Sequence, residues 1–199
     1  MAKRTHGEQR RAQILDAAAD LSTVTGLHAL SFASVAAAVG LTKAGVSGHF
    51  DSKEALQLAV VERAAGDYKR ALLEAGRSAE PGLPRLAALA RGWFAHLADI
   101  PYRGGCFFAA AAQAFAGQPG AVRDAIAGYT QALIAELEEQ ARLAVRLDEL
   151  ADGVEPDRLV FQIHALTQEA NLRRELLAVD DAFGQAMELL DDLLQRSAR

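Results

Sequence analysis

The 199-residue chain has 51% hydrophobic and 24% charged side chains, enough apolar material to bury the core of a medium domain, and this excludes a disordered or low-complexity polymer. A single cysteine cannot form an internal disulfide, and the opening MAKRTHGEQRR lacks the apolar stretch of a secretory signal, so the expected compartment is the cytoplasm. The formal net charge of −5 is unevenly spread: Lys3, Arg4, Arg10, Arg11 and Lys43 outnumber Glu8, Asp16 and Asp20 in residues 1–50, and the remainder is acidic.

Alanine and leucine dominate and β-branched residues rarely alternate, so the fold is expected to be all-α with about nine helices. No stretch approaches the 18 or so uncharged apolar residues of a membrane span; the nearest, Cys106 to Gly117, is interrupted by Gln113. A first helix from Glu8 carries Ile14, Leu15, Ala18 and Leu21 and stops at Gly26. Ser31 or its neighbour caps a two-turn second helix with Val35, Ala36 and Val39 inward, closed by Gly40. Thr42 caps a third, Lys43 to Phe50, anchored by Val46 and Phe50. Asp51 and Glu54 have capping-box spacing ahead of a long fourth helix to about Gly76.

Glu80-Pro81-Gly82 then breaks the chain before an amphipathic fifth helix with Leu83, Leu86, Ala90, Phe94 and Leu97. Arg103-Gly104-Gly105 opens the sixth, and Gln118-Pro119-Gly120 separates it from a seventh with Val122, Ile126, Tyr129, Leu133 and Leu137, expected to run to Gly153. Pro156 starts an eighth helix to about Ala178, apolar on more than one side, and Asp180-Asp181 precede a ninth with Phe183, Met187, Leu190 and Leu194 on one stripe. The breaks are too short to link independent domains.

The chemistry concentrates near the N-terminus. Val35-Ala36-x-x-Val39-Gly40-Leu41, followed by Val46 and Phe50, has helix-turn-helix spacing: apolar residues lock two short helices and the small Ala36 lets them cross closely. In such a unit the second helix enters the DNA major groove, and its outward residues are Lys43, Ala44, Ser47 and Gly48, with Thr42 at its start. Two glycines in so short a helix cost about 1 kcal/mol each relative to alanine, so bound DNA is expected to order it. The basic Lys3, Arg4, Arg10 and Arg11 leave two readings open, a solvated tail and a DNA-contacting arm.

Residues 10–56, above all GLHALSFASVAAAVGLTKAGVSGHFDSKEAL, resemble the DNA-binding head of the TetR family of bacterial transcription regulators. The order of the first helix, the helix-turn-helix, His49-Phe50 and Ser52-Lys53-Glu54-Ala55-Leu56 carries the resemblance; the remainder matches in helix count. The resemblance implies a DNA-binding domain at 1–51, a ligand-binding and dimerisation domain at 52–199, and the fourth helix, 52–76, linking them. It also implies a homodimeric repressor on a palindromic DNA operator, released when a small-molecule effector fills the C-terminal domain and tilts the fourth helix. By position, Thr42 and Lys43 contact phosphates or base edges, Gly45 lies at the groove, and Lys53 holds phosphate; with Ala44, Ser47, Gly48 and His49 they form the expected DNA-binding set. Ser47 stands where the family commonly has tyrosine and Gly48 where it often has a larger polar residue. That departure supports an alternative, a helical ligand-binding protein whose head has lost DNA binding.

For the effector, the candidate lining is Trp93, Phe94, Cys106, Phe107, Gln113, Tyr129, Phe161 and His164, with Phe108 and Phe115 nearby in sequence. Such sites are mostly apolar with a few polar groups, so the expected effector is largely apolar, although core packing competes for each aromatic residue. Cys106 reads as a small buried hydrophobe ahead of a redox thiol. His96 and His164 lack a cluster at metal spacing, so neither metal nor cofactor is expected. His164, Thr167, Asn171 and Arg174 form a polar stripe open to three roles: pocket, dimer interface or solvent face. The eighth and ninth helices carry more apolar surface than one neighbour covers, so Leu166, Phe183, Met187, Leu190 and Leu194 are the expected dimer interface. No nucleophilic triad, phosphate-cradling glycine loop or paired catalytic carboxylates occur, and an enzyme is not expected.

Overall fold

The structure is a computed structural model and describes residues 6–199. Among these residues it contains nine α-helices, one 3-10 turn and no β-strand. In chain order the helices are α1 (His6–Thr25), α2 (Phe32–Ala38), α3 (Lys43–Ser47), α4 (Lys53–Gly76), α5 (Leu83–Ala98), α6 (Phe107–Phe115), α7 (Ala121–Arg146), α8 (Pro156–Leu177) and α9 (Ala182–Ser197), with the 3-10 turn Leu27–Ala29 after α1. None is long and apolar enough to cross a membrane. Lys3 and Arg4 lie outside the described residues, whereas Arg10 and Arg11 are in the first turns of α1.

Most boundaries follow the local chemistry read from the sequence. Gly26 adopts φ +85°, the left-handed backbone that ends α1, and a side chain there would collide with the His28 ring. Pro156 occupies the first turn of α8, where its missing N–H costs nothing. Three expectations are corrected. α3 stops at Ser47 because the chain tightens there, the N–H groups of His49 and Phe50 donating to the carbonyls of Val46 and Ser47. The start of α4 is capped by Ser52, whose Oγ accepts from the Ala55 N–H at 3.0 Å, while Asp51 stays exposed. α7 ends at Arg146, where Asp148 turns left-handed at φ +62°, well before Gly153.

The chain divides into two compact units: Met1–Gly66 with Pro101–Gly128, and Asp67–Ile100 with Tyr129–Arg199. The boundaries of this division fall inside α4 and α7, because the segment from Pro101 packs with the N-terminal helices. In the first unit Ile14, Leu27, Leu30, Val35, Val46 and Leu56 share one buried cluster with Phe107, Phe115, Val122 and Ile126. α4 is fastened to the 3-10 turn by Gln57, buried, whose Nε2 donates to Leu27 O at 2.8 Å, and by Lys53, whose Nζ donates to His28 O at 2.6 Å. Arg63 of α4 pairs with Asp16 of α1 at 2.7 Å.

In the second unit α5, α8 and α9 pack together. α5 buries Leu86, Leu89, Ala90, Trp93, Phe94 and Leu97, and α9 turns in Phe183, Ala186, Leu190 and Leu194. Leu147, Val145 and several α8 side chains stay exposed. The Gly82 N–H donates to the buried Gln140 side chain and the Leu83 N–H to the Glu149 carboxylate, so the first N–H groups of α5 are satisfied by α7 and the loop after it.

Candidate DNA-binding surface and effector-binding cluster

The helix-turn-helix is built from both ends. Ser31 and Ser34 form a reciprocal capping box on α2, each side chain accepting from the other's backbone N–H at 3.0 Å. Val35 and Ala36 are buried on α2 and Val46 on α3, so these short helices hold each other by a small apolar contact. Gly40 takes φ +66° in the turn between them. Thr42 Oγ1 accepts the Gly45 N–H at 3.1 Å, fixing the first turn of α3.

With Val46 and Phe50 inward, Thr42, Lys43, Ala44, Gly45 and Gly48 are exposed, and Ser47 and His49 are partly so. The Phe50 ring is fixed beneath this surface by Arg11, whose guanidinium lies 5.2 Å from its centroid. Arg11 therefore has a packing role on α1 that its charge alone did not reveal. Gly45 leaves little room for a side chain, since a Cβ would approach Thr42 Oγ1 at 3.3 Å, whereas one at Gly48 would make ordinary contact. Lys53 is exposed beside this surface while its ammonium holds the His28 carbonyl.

The eight ligand-binding candidates are distributed between the units. Cys106 and Phe107 are buried in the first, where Cys106 caps α6 by accepting the Ala109 N–H, and Gln113 is exposed on the same helix. In the second unit Phe94 is fully buried, Tyr129 is exposed, and Phe161 has 73% of its surface in solvent. The structure brings together Trp93 of α5 and His164 of α8, stacked with centroids 5.6 Å apart and planes 20° apart. One turn along α5, His96 meets Tyr68 of α4 edge-on at 4.8 Å. Tyr68 was not identified from the sequence, although the Trp93 and His96 spacing of three already places those two on one helix face.

These two ring pairs contain two unsatisfied atoms. Trp93 Nε1 and His96 Nε2 are buried without a hydrogen-bond partner. Each such group costs about 1–3 kcal/mol if left unpaired. Burial pushes the His96 imidazole below its ordinary pKa; nearby Asp67 opposes that shift and Arg70 adds to it. Burial lowers His164 as well. Elsewhere in the unit an open groove of about 660 Å3 lies among Leu83, Pro84, Arg91, Asp148, Asp191 and Gln195, and none of the eight candidates lines it.

The expected dimer residues divide in the same way. Phe183, Leu190 and Leu194 are turned into the second unit's own core, with Arg174 stacked over Phe183 at 4.5 Å, while Leu166 and Met187 are half-buried. On α8 an exposed stripe is left, where Phe161, Leu172 and Leu176 recur at helical spacing, and Leu189 is exposed on α9.

The helix-turn-helix and the helical unit that follows it have counterparts in known proteins. Residues 14–60 match the family model of bacterial regulatory proteins, tetR family, and residues 82–190 match that of the tetracyclin repressor-like C-terminal domain, which alone spans more than half of the chain. The chain belongs to the TetR family of helix-turn-helix transcription regulators, whose members are DNA-binding transcription factors and not enzymes. No curated protein matches the sequence.

Solved structures share the fold across almost the whole length. A TetR transcriptional regulator from Chloroflexus aurantiacus is 24% identical, with 97% of this chain and 98% of that one covered at a TM-score of 0.82. A TetR-family regulator from Cytophaga hutchinsonii is 18% identical, with 99% and 98% covered at 0.80. AibR, solved with isovaleryl coenzyme A and operator DNA, is 21% identical, with 94% and 99% covered at 0.75.

Proposed function

We propose that this regulator is a homodimeric repressor that places α3 in the major groove of a palindromic operator and leaves it when a small molecule binds the C-terminal domain. The observation that carries this reading is the exposed run Thr42-Lys43-Ala44-Gly45 on α3, backed by buried Val46 and Phe50. Lys43 supplies charge to phosphate or a base edge, and Thr42, Ala44 and Gly45 allow close approach to the groove. Ser47, Gly48 and His49 extend the surface, and Lys53 contributes charge at the start of α4.

The exposed stripe Phe161, Leu172 and Leu176, with Leu189, supports a two-fold interface along α8 and α9 that buries it. Two α3 helices related by that axis call for an inverted repeat with half-site centres about 34–36 Å apart or a multiple of it. The family membership supports placement in the cytoplasm, and the binding of operator DNA and an acyl-coenzyme A by AibR supports control of DNA binding by a small molecule. Release requires the effector to bind the DNA-free state more tightly than the DNA-bound one. The test is footprinting on the DNA flanking the protein's own gene at two salt concentrations, with Lys43→Ala as control. A protected palindrome weakened by Lys43→Ala supports the reading, and no specific protection by a folded dimer at low salt contradicts it.

A further inference from the structure

We propose that Trp93 and His96 form the hydrogen-bonding end of an effector site in the second unit, and that this site takes an uncharged aromatic molecule bearing a carbonyl oxygen. The proposal rests on the reading of the chain as an effector-controlled regulator.

Three observations define the ligand. An indole N–H can only donate, so whatever satisfies the buried, unpartnered Trp93 Nε1 must bring an acceptor. His96 Nε2 is likewise buried and unpartnered on the same face of α5, and its Nε2–H tautomer also donates. A carbonyl oxygen has two lone pairs, the number of acceptor positions that these two donors call for. The buried Thr167 hydroxyl does not compete for it, because it donates to His164 O at 2.7 Å.

The surroundings select the rest of the molecule. His164 lies parallel to Trp93 and Tyr68 meets His96 edge-on, so each of the two residues is flanked by an aromatic ring, from α8 and from α4, and these surroundings favour an aromatic body. The charged groups nearby are already engaged. Arg70 pairs with Asp67; Arg174 pairs with Glu175 and donates to Leu97 O and Ala98 O. Burial disfavours the charged form of both imidazoles, so they offer a carboxylate little counter-charge, and a neutral carbonyl needs none.

Trp93 is the chain's single tryptophan, so its indole gives one identifiable N–H resonance. The experiment titrates acetophenone, ethylbenzene and benzoate separately into the 15N-labelled full-length protein. Acetophenone is expected to move the indole proton downfield saturably and to bind at least about tenfold more tightly than ethylbenzene, which has nearly the same shape and no acceptor. Benzoate is expected to bind more weakly than acetophenone. Trp93→Phe and His96→Phe are each expected to bring the acetophenone preference below about threefold while the helical circular dichroism signal is kept. An indole resonance unmoved by acetophenone, equal affinity for ethylbenzene, or tighter binding of benzoate would overturn the proposal. The wild-type comparison decides even if a variant fails to fold. Operator protection that persists without acetophenone binding rejects this effector class alone, and acetophenone binding without operator protection rejects the repressor reading alone.

Discussion

Asp20 of α1 holds Arg103 twice, accepting its backbone N–H at 2.9 Å on one carboxylate oxygen and its guanidinium Nε at 2.8 Å on the other. The next residue continues the attachment, because the Gly104 N–H donates to Thr23 Oγ1 at 3.0 Å. A Cβ at Gly104 would lie 2.3 Å from the Thr23 carbonyl oxygen, a backbone atom with no freedom to give way. The approach of the α5–α6 loop to α1 therefore depends on glycine. Gly104→Ala is expected to destabilise the protein by about 1–3 kcal/mol through overpacking. Arg103→Ala, which keeps the backbone bond and loses an exposed ion pair, is expected to cost at most about 1 kcal/mol. Urea unfolding of the two variants compares them directly, and equal destabilisation would contradict the argument.

The exposed stripe of α8 predicts a separation between assembly and folding. Phe161→Glu with Leu176→Glu should give a folded monomer and weaken DNA binding. Leu190→Glu buries a charge in the second unit's own core and should lower the melting temperature or prevent folding. Analytical ultracentrifugation paired with circular dichroism distinguishes the two; a well-folded monomer from Leu190→Glu would show that this residue faces a partner.

The two histidines of the ring pairs, His96 and His164, give a pH dependence of defined sign. Both have folded pKa values lowered from 6.5, His96 by burial with Arg70 adding and Asp67 opposing, and His164 by burial. Above the unfolded pKa the imidazoles are neutral in both states and contribute no slope. Below it the unfolded chain takes up protons more readily, so stability falls as pH drops below about 6.5. The melting temperature should decline between pH 7 and 5.5, and less steeply in the double variant His96→Gln, His164→Gln. Parallel declines in wild type and variant would assign the slope to other groups.

The capping hydroxyl of α3 should be as important to its order as the apolar residues beneath it. Thr42→Ala removes the acceptor of the Gly45 N–H and is expected to cost about 1 kcal/mol, with faster amide exchange confined to α3 and its turn. Thr42→Ser keeps an acceptor and should restore most of the protection.

What was legible in the sequence was what local chemistry decides. Gly26 ends a helix because its backbone turns left-handed, Pro156 begins one because it needs no amide partner, and Val35, Ala36, Val46 and Phe50 announce two crossed helices by spacing alone. Where neighbours compete, local rules were insufficient. Asp51 and Ser52 could both cap α4, and only geometry selected Ser52. Asp148 turns where Gly153 was expected to, a choice sequence spacing does not reveal.

The candidate sites show the same limit. Residues facing outward from α3 follow from helical periodicity once Val46 is known to face in. The pairing of Trp93 with His164, however, depends on how α5 packs against α8, two segments separated by about 70 residues of sequence. Phe183, Leu190 and Leu194 formed a clear apolar stripe, but periodicity does not say whether such a stripe meets its own chain or a partner. In this protein it meets α5 and α8.

Whether the exposed face of α3 reads DNA is decided by footprinting the purified protein on the region flanking its own gene. A protected inverted repeat is expected, with Lys43→Ala weakening binding and reducing the salt slope by about 1. A folded dimer that protects no specific sequence at low salt, or a Lys43→Ala variant that binds with unchanged affinity and salt dependence, would contradict it.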